Sequence, residues 1–322
     1  MIRIRIIVIV IILMLPYAIY GQDTSSYLRL MFYNCENAFD IYDDTLHDDD
    51  EFLPSGIRRW NKSRYENKIQ AIYKTIVAAG GWEPPEIVAF CEIENKHVVE
   101  DIISKTYLSK YSYSIIHEES PDQRGIDVCL IFRNDHLRLI SYDYWKPQSV
   151  DPFDTRTVLY ARMAFVSDTF NVIVNHWPSR RGGVLSGLEL REQIAEMVKE
   201  RSDSLQDSGD KYVIITGDFN SNPEDPEMKI FDSDKRYVNL SAQIPAQGTY
   251  RYQGRWEMFD QVIVSSALAQ GISVNASVLN PGFLLMDDPV YPGKSPFSTY
   301  RGFRYQGGFS DHLPVIVTLR LR

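Results

Sequence analysis

Residues 214–226, IITGDFNSNPEDP, begin as an apolar strand and end in polar side chains. The β-branched run that leads into this stretch is typical of a strand covered on both faces of a sheet, where an uncompensated carboxylate is costly. Asp218 and Asn220 are therefore expected at the end of the strand. Because ligands bind at the strand ends of layered α/β folds, the stretch predicts a fold class and also where the functional site lies.

The composition is that of an ordinary globular protein. The chain has 322 residues, of which 44% are hydrophobic and 24% are charged, so disorder and fibrous structure are excluded. The formal net charge of -9 excludes a broad coat of Lys and Arg for wrapping long nucleic acid. A local basic groove near Arg180, Arg181, Arg301 and Arg304 remains compatible with this charge.

The N-terminal segment has the pattern of a signal peptide. Arg3 and Arg5 precede an apolar run over residues 6–15, and small or polar residues follow around Ala18 and Gly21. The run is shorter than the roughly 20 residues of a membrane span. We therefore expect residues 1–21 to direct export to a periplasm or beyond, with an uncleaved anchor as the alternative, and residues 22–322 to form one domain.

Strand patterns outnumber helical patterns and are spread through the whole chain. Three stretches have helical periodicity, at 62–79, 96–107 and 187–205. About ten runs have strand character, namely 28–33, 87–91, 113–117, 128–132, 158–165, 170–174, 213–216, 261–264, 272–279 and 315–321. This pattern predicts one four-layer α/β sandwich, in which two packed, mainly antiparallel sheets are flanked by helices.

Residues 280–309 form a long connection rich in Pro, Gly, Tyr and Phe. Loops of this length are often lids or binding loops. A surface excursion without a role is the alternative.

Several strand-like runs end in the same kinds of polar residue as the opening stretch. A single Asn or Asp at a strand end is usually a turn former, but the recurrence predicts a common site. Beside Asp218 and Asn220, its members are Asn34, Glu36, Glu92, His176, Asp260, Asp311 and His312.

Carboxylates and an Asn without Cys-His ligand spacing favour Mg²⁺, Mn²⁺ or Ca²⁺ over Zn²⁺. Such an ion neutralises a phosphate and polarises it for attack. His312 follows Asp311 directly and has Asp260 available, so it is suited to act as an imidazolium beside a phosphate. The four histidines outside these motifs are predicted to be surface or packing residues, and they are His47, His97, His117 and His136.

The ordered motifs resemble the DNase I-like endonuclease/exonuclease/phosphatase superfamily, and most of all its secreted bacterial members that are called endonucleases. The motifs are FYNCENAFD (32–40), AFCEIEN (89–95), RGIDVCLIF (124–132), NHWPSRRGG (175–183), TGDFNSNPEDP (216–226), FDQVIVSS (259–266) and GGFSDHLPV (307–315). The ordered set is far more specific than any one of them.

The resemblance implies a metal site on one side of the pocket. Glu92 matches the principal metal-binding Glu of the family. Asn34 and Glu36 complete or steer that site, and Asp311 contributes directly or through water.

The resemblance also implies the catalytic groups. Asp218 matches the residue that orients or deprotonates the attacking water, and Asn220 belongs to the same network. His312 matches the His that contacts the scissile phosphate, with Asp260 fixing its orientation and charge. His176 matches a second acid or hydrogen-bond donor at the phosphate.

The chain departs from the family pattern at Cys91, where Gln is usual, and at Gln261, where Tyr is common. Neither change removes a predicted ligand. Arg124 and Arg180 are predicted to reach the substrate phosphate, and Asp127 to support the site. A turn with a paired Arg remains the alternative for the RGIDV motif.

These patterns together predict a monomeric, metal-dependent phosphodiesterase. The expected reaction is hydrolysis of DNA or RNA by in-line attack of a water positioned by Asp218, with Mg²⁺ or a similar ion. One alternative is a lipid or inositol phosphate hydrolase, because residues 296–305, PFSTYRGFRY, also suit a membrane surface. The other is a noncatalytic binding module of the same fold.

Overall fold

The computed structural model describes residues 26–147, 155–181, 183, 185, 187–245 and 248–321. The predicted signal peptide, residues 1–21, lies outside the described residues. Within the described part of the chain, no helix is both long enough and apolar enough to cross a membrane.

The described chain alternates strands and helices along its whole length. The helices are α1 (Lys62–Gly80), α2 (Lys96–Ser104), α3 (Leu188–Asp207), α4 (Pro226–Lys229) and α5 (Ser266–Gly271). The strands are β1 (Ser26–Ala38), β2 (Ile87–Ile93), β3 (Tyr113–His117), β4 (Asp127–Arg133), β5 (Leu137–Trp145), β6 (Val158–Phe165), β7 (Asp168–His176), β8 (Tyr212–Asp218), β9 (Tyr237–Asn239), β10 (Tyr250–Tyr252), β11 (Arg255–Glu257), β12 (Asp260–Ser265), β13 (Ser273–Val278), β14 (Leu285–Asp287), β15 (Lys294–Pro296), β16 (Tyr300–Arg301), β17 (Arg304–Tyr305) and β18 (Val315–Leu321).

Two six-stranded sheets form the body of the molecule. The first has the order β13-β18-β1-β2-β4-β3 and the second β5-β6-β7-β8-β12-β9. Each sheet contains one parallel pair, β1 with β2 and β7 with β8, and its other neighbours are antiparallel. The expectation of mainly antiparallel sheets is confirmed.

Alternation of side chains along the strands builds the layers, because successive residues of a strand face opposite sides of a sheet. Leu28, Leu30 and Phe32 of β1 belong to the core between the two sheets. Met31 and Tyr33 face the other way, into a second cluster under α1 and α2. A third cluster lies between the second sheet and α3. The four-layer α/β sandwich predicted from the sequence is therefore confirmed.

The topology brings the polar strand ends to one edge of the sandwich. The parallel pairs β1–β2 and β7–β8 each end at this edge. In the antiparallel neighbours the first residues lie there instead, since Asp260 of β12 is opposite Asp218 and Val315 of β18 is opposite Phe32. Ends of parallel strands and beginnings of antiparallel strands therefore surround a single site.

The helix predictions agree with the structure to within three residues at each end, and the ten predicted strands all correspond to observed ones. The missed long strand is β5, at the edge of the second sheet, where residues 138–143 are mostly exposed and lack clean apolar alternation. The three cysteines, Cys35, Cys91 and Cys129, are buried and unpaired.

Candidate active site at the strand ends

Asp218 lies at the centre of the site and connects the two sheets. Asn34 Nδ2, from the first sheet, donates to Asp218 Oδ2 at 3.0 Å, and the backbone N–H of Asn220 donates to Asp218 Oδ1 at 2.9 Å. Burial, reinforced by the nearby Asp260, raises the pKa of Asp218 to about 6. A carboxylate with this pKa can accept a proton from water near neutral pH.

Gly217 allows β8 to approach β7 closely at this point. Its φ is +156°, and a Cβ there would lie 2.3 Å from the carbonyl oxygen of Asn175 on β7. Any other residue would push the strands apart. The close approach places Asp218 beside His176 in the register of the two strands.

His312 is held as a buried cation. Its Nδ1 is 2.7 Å from Asp260 Oδ2, and its Nε2 is 3.8 Å from Asp218 Oδ2. Burial lowers the pKa of His312, but the charges of Asp260 and Asp218 outweigh it and hold the pKa well above its usual range. The Tyr250 ring packs 4.8 Å from the imidazole, so ring orientation is fixed on a second side.

His176 occupies the other side of Asp218 and is neutral. Its Nε2 lies 3.8 Å from Glu92 Oε1 and 4.0 Å from Asp218 Oδ2. Burial is the main cause that lowers its pKa well below the usual range, and the positive charges of Arg156 and Arg124 add to it. A neutral imidazole can donate a hydrogen bond to a phosphate, but it has no extra proton to give as an acid.

Asn220 supports Asp218 from a strained turn. It has φ +49°, which is uncommon for a residue with a side chain, and its Nδ2 donates to the carbonyl oxygen of Trp177 at 3.0 Å. This contact holds the turn so that the Asn220 N–H points at the Asp218 carboxylate.

Glu92, the next-to-last residue of β2, has a left-handed conformation, with φ +58°. The pairing register of β2 shifts between Cys91 and Ile93, so the strand breaks at Glu92. The Glu92 Oε2 accepts the Asn37 N–H at 2.9 Å. Local strain of this kind is often stored at functional sites.

Asp311 is the second acidic group on this side. Burial raises its pKa to about 6, and the charge of Glu92 contributes in the same direction. Two neighbouring carboxylates favour a nearby cation.

Glu36 has both carboxylate oxygens engaged by the backbone of residues 299 and 300. Its Oε2 accepts from Thr299 N at 2.5 Å and its Oε1 from Tyr300 N at 3.0 Å. Burial is the main cause that raises its pKa to about 7. Glu36 thereby attaches the long 280–309 connection to the site, and its direct binding of an ion stays a prediction.

Lys68, on α1, is a part of the site that the sequence reasoning missed. It is 2% exposed, and its Nζ donates to Thr299 Oγ1 at 2.5 Å and to Phe309 O at 2.8 Å. Burial lowers its pKa, whereas Glu36 and other acidic groups raise it. The sequence feature that could have indicated Lys68 is its position one turn before Ile72, on the apolar side of a predicted helix.

The three arginines near the site differ in their partners. Arg124 is 43% exposed and its Nε is 3.8 Å from Asp122, so its guanidinium can still reach a ligand. Arg180 donates to the Asn220 carbonyl and pairs with Asp225, so its predicted contact with phosphate would require it to leave these partners. Arg156, which the motifs did not indicate, is buried and donates to Asp122 Oδ2 at 2.8 Å.

The donors present fit a hard divalent ion. Three of the predicted ligands, Asn34, Glu92 and Asp311, offer oxygens, which suit Mg²⁺, Mn²⁺ or Ca²⁺. Asp218, Asp260 and His312 form a second compact set of potential ligands, in which His312 Nδ1 is already paired with Asp260 Oδ2. Binding of the ion by Asn34, Glu92 and Asp311 stays a prediction.

A family model described as the endonuclease/exonuclease/phosphatase family matches residues 29–321. A comparison with curated proteins finds no match.

Solved structures resemble the fold over nearly the whole chain. An endonuclease/exonuclease/phosphatase family protein from Bacteroides thetaiotaomicron has a TM-score of 0.62 at 15% identity, covering 92% of this chain and 99% of that one. A mannosyl-6-phosphatase from Bacteroides thetaiotaomicron has a TM-score of 0.60 at 16% identity, covering 91% and 99%. The human Nocturnin catalytic domain with bound sulfate has a TM-score of 0.56 at 16% identity, covering 92% and 96%. At these identities the likeness shows the fold alone.

Proposed function

Because the chain belongs to the endonuclease/exonuclease/phosphatase family, we propose that it hydrolyses phosphoester bonds with a bound divalent ion, and that its substrate is a phosphodiester of DNA or RNA. The observation that carries the proposal is the placement of Asp218 beside two histidines, of which His312 is cationic and His176 is neutral. His312 Nε2 is 3.8 Å and His176 Nε2 is 4.0 Å from its carboxylate.

Each of these groups has a distinct task in attack by water on phosphorus. Asp218 orients the water and takes its proton. The His312 imidazolium, held by Asp260, places a positive charge against the phosphoryl oxygens as negative charge develops on them. Neutral His176 donates a hydrogen bond to a phosphoryl oxygen, while the P–O bond to the leaving oxygen breaks on the side opposite the water and that oxygen takes up a proton from solvent. Phosphoryl transfer depends chiefly on such positioning and charge stabilisation.

Asn34, Glu92 and Asp311 would hold Mg²⁺ or a similar ion beside the phosphate. The ion supplies Lewis-acid charge to the phosphoryl oxygens and lowers the cost of the buried carboxylates. Glu36 and Lys68 both bind Thr299 and so attach the 280–309 connection to the site, and Glu36 is proposed to complete or steer the metal site.

The surface near the pocket suits a nucleic acid better than the net charge suggests. Tyr252, Phe283 and Phe303 are exposed aromatic side chains on the segments that flank the site, and exposed Arg301 and Arg304 lie on β16 and β17. Aromatic rings stack on unpaired bases, and arginines bind phosphates. We therefore favour flexible or single-stranded regions over a long duplex wrapped on the surface.

A sugar phosphate is the second candidate, because a mannosyl-6-phosphatase shares the fold at a TM-score of 0.60. The same two histidines and Asp218 would serve a phosphomonoester. A lipid phosphoester is the third, since the exposed aromatic side chains also suit a membrane surface.

Incubation of the purified chain with plasmid DNA, structured RNA, mannose 6-phosphate and sphingomyelin, each with Mg²⁺ and with EDTA, separates these candidates. Cleavage of a nucleic acid only with Mg²⁺ supports the proposal. If the nucleic acids stay intact, release of phosphate from the sugar would assign a sugar phosphate as the substrate, and cleavage of the lipid would assign a lipid phosphoester. No metal-dependent turnover on any substrate would favour a noncatalytic binding module.

We further propose that the protein acts after export, because residues 1–21 have the pattern of a signal peptide; the monomeric state stays a prediction. N-terminal sequencing of the secreted product would show cleavage near residue 21. A product that retains residue 1 and stays with the membrane fraction would indicate an uncleaved anchor.

A further inference from the structure

The hairpin of β3 and β4 carries a second group of potential ligands outside the candidate active site. His117 ends β3 and Asp127 begins β4. Together with Glu119 they form a set in which one ligand atom from each residue lies within 4.8 Å of the others. The sequence pattern alone had classed His117 as a surface or packing residue.

The strand register explains why these three residues meet. His117 is paired with Cys129, and continuing the same antiparallel register places Glu119 opposite Asp127. Residues two apart in a strand share a face, so all of them project to the side of Cys129, which faces the α1 and α2 layer. Asp127 begins β4 at the same edge as the active site, opposite Ile93, but the set of three shares no residue with the groups around Asp218.

The buried atoms of this group face each other as an ion pair without a well-aligned hydrogen bond. His117 and Asp127 have side chains that are 3% and 1% exposed, and His117 Nε2 lies 3.0 Å from Asp127 Oδ2. The pair lacks the geometry of a well-aligned hydrogen bond, and the Asp127 carboxylate also bonds the Glu119 side chain and accepts the Ser120 N–H through Oδ1 at 2.8 Å. Buried unsatisfied polar atoms are costly and require an explanation.

A metal ion would satisfy both atoms. Adjacent ligands of a tetrahedral Zn²⁺ with metal–ligand distances near 2.1 Å are separated by about 3.4 Å, so the 3.0 Å between His117 Nε2 and Asp127 Oδ2 has to widen only slightly to admit the ion. Glu119 supplies a third oxygen from the more exposed side.

His47 lies beside this group and is oriented by an acidic residue. Its Nδ1 is 2.6 Å from Asp44 Oδ2, an arrangement common among histidines that bind a metal through the other nitrogen. The charges of Glu119 and Asp127 contribute to raising its pKa. Gly125, at φ +65°, leaves room for the ring, since a Cβ there would lie 3.0 Å from its atoms. His47 is outside the set of three by distance and would move to become a fourth ligand.

We propose that His117, Glu119 and Asp127 bind a divalent transition-metal ion, with Zn²⁺ as the representative ion. An imidazole with two carboxylates favours Zn²⁺ over Mg²⁺, whereas the oxygen ligands of the active site have the opposite preference. The ion would fix the loop between β3 and β4. That loop carries Arg124, and also Asp122, which binds Arg156, so the second site supports the arginines beside His176.

The test measures Zn²⁺ retention by the full chain. The EDTA-treated protein is loaded with Zn²⁺ and dialysed against excess Mg²⁺, and the retained metal is measured by mass spectrometry. We expect one equivalent in the wild type and in Glu92→Gln. His117→Gln and Asp127→Asn should lower the Zn²⁺ affinity about 100-fold or more.

His97→Gln is the matched control, because His97 forms a comparable but exposed pair with Asp101 at 3.6 Å; this variant should retain the metal. If the buried variants do not fold, Glu119→Gln changes a half-exposed side chain and should still weaken retention about 10-fold. Full retention in Glu119→Gln and His117→Gln, loss in Glu92→Gln, or no retention by the wild type would each overturn the proposal.

Discussion

His176 and His312 both lie beside the Asp218 carboxylate, yet they have opposite charge states. Both are buried, and their Nε2 atoms lie 4.0 Å and 3.8 Å from Asp218 Oδ2. Burial lowers the pKa of both, and only His312 has a carboxylate in direct hydrogen-bond contact, Asp260 at 2.7 Å. His176 instead has Arg156 and Arg124 nearby.

The comparison teaches that neighbouring charges decide the role of a buried histidine. Desolvation alone would make both neutral. One carboxylate at hydrogen-bond distance is enough to raise the pKa of His312 despite its burial. Two guanidinium groups at longer range lower the pKa of His176 further. The cationic His312 and the neutral hydrogen-bond donor His176 are thus both placed beside the general base Asp218.

The largest loss of activity is expected when His312 or Glu92 is replaced. His312→Gln and Glu92→Gln should each lower kcat/KM about 10³-fold or more, because the charge on the phosphate or the ion is lost. Steady-state kinetics on the substrate identified above measures this, with circular dichroism to confirm the fold. His136→Gln, at a partly exposed histidine far from the motifs, is the control, and near wild-type turnover in both active-site variants would refute the assignment.

A smaller effect should follow when His312 is made to resemble His176. Asp260→Asn keeps the shape of the side chain but removes its charge, so the pKa of His312 should fall and kcat should drop about 10²-fold at neutral pH. NMR titration of the imidazole measures the pKa directly. Activity should recover partly on acidification, and an unchanged pKa of His312 would show that Asp260 does not set its charge.

The reverse change makes His176 more like His312. Arg124→Gln removes one of the positive charges that lower the pKa of His176, so that pKa should rise. We expect KM to increase about 10-fold if the Arg124 guanidinium also binds the phosphate. Arg138→Gln, at an exposed position on β5, is the matched control. A raised pKa with an unchanged KM would limit Arg124 to an electrostatic role.

The smallest effect concerns stability without metal. The folded-state pKa values of Glu36, about 7, and of Asp218 and Asp311, about 6, lie above those of the unfolded chain. The folded state therefore binds more protons between about pH 4 and pH 7, and stability falls as pH rises through that window.

In EDTA, we expect the Tm to fall by about 5 °C from pH 5.5 to pH 7.5, and Mg²⁺ to reverse much of this loss at the higher pH. Differential scanning calorimetry measures both. Asp311→Asn should reduce the dependence on pH and on Mg²⁺. A Tm that rises with pH in EDTA would contradict the predicted loss of stability with rising pH.

The motifs predicted the residues of the site better than they predicted what those residues contact. Asn34, Asp218, Asp260 and His312 lie together as the ordered motifs implied. Glu36 was expected at the metal, but its carboxylate binds the backbone of residue 299, a contact across 263 residues of sequence. Nothing in the local pattern around Glu36 indicates such a partner.

The sequence by itself determined the strand and helix pattern, the sandwich and the residue types at the strand ends, because period-two and period-3.6 apolar spacing are local properties. Only the tertiary structure decided the charge states of His176 and His312, the burial of Lys68 and the meeting of His117 with Asp127. The physical reason is that desolvation and Coulomb interactions depend on distances between residues far apart in the chain, and folding alone sets those distances.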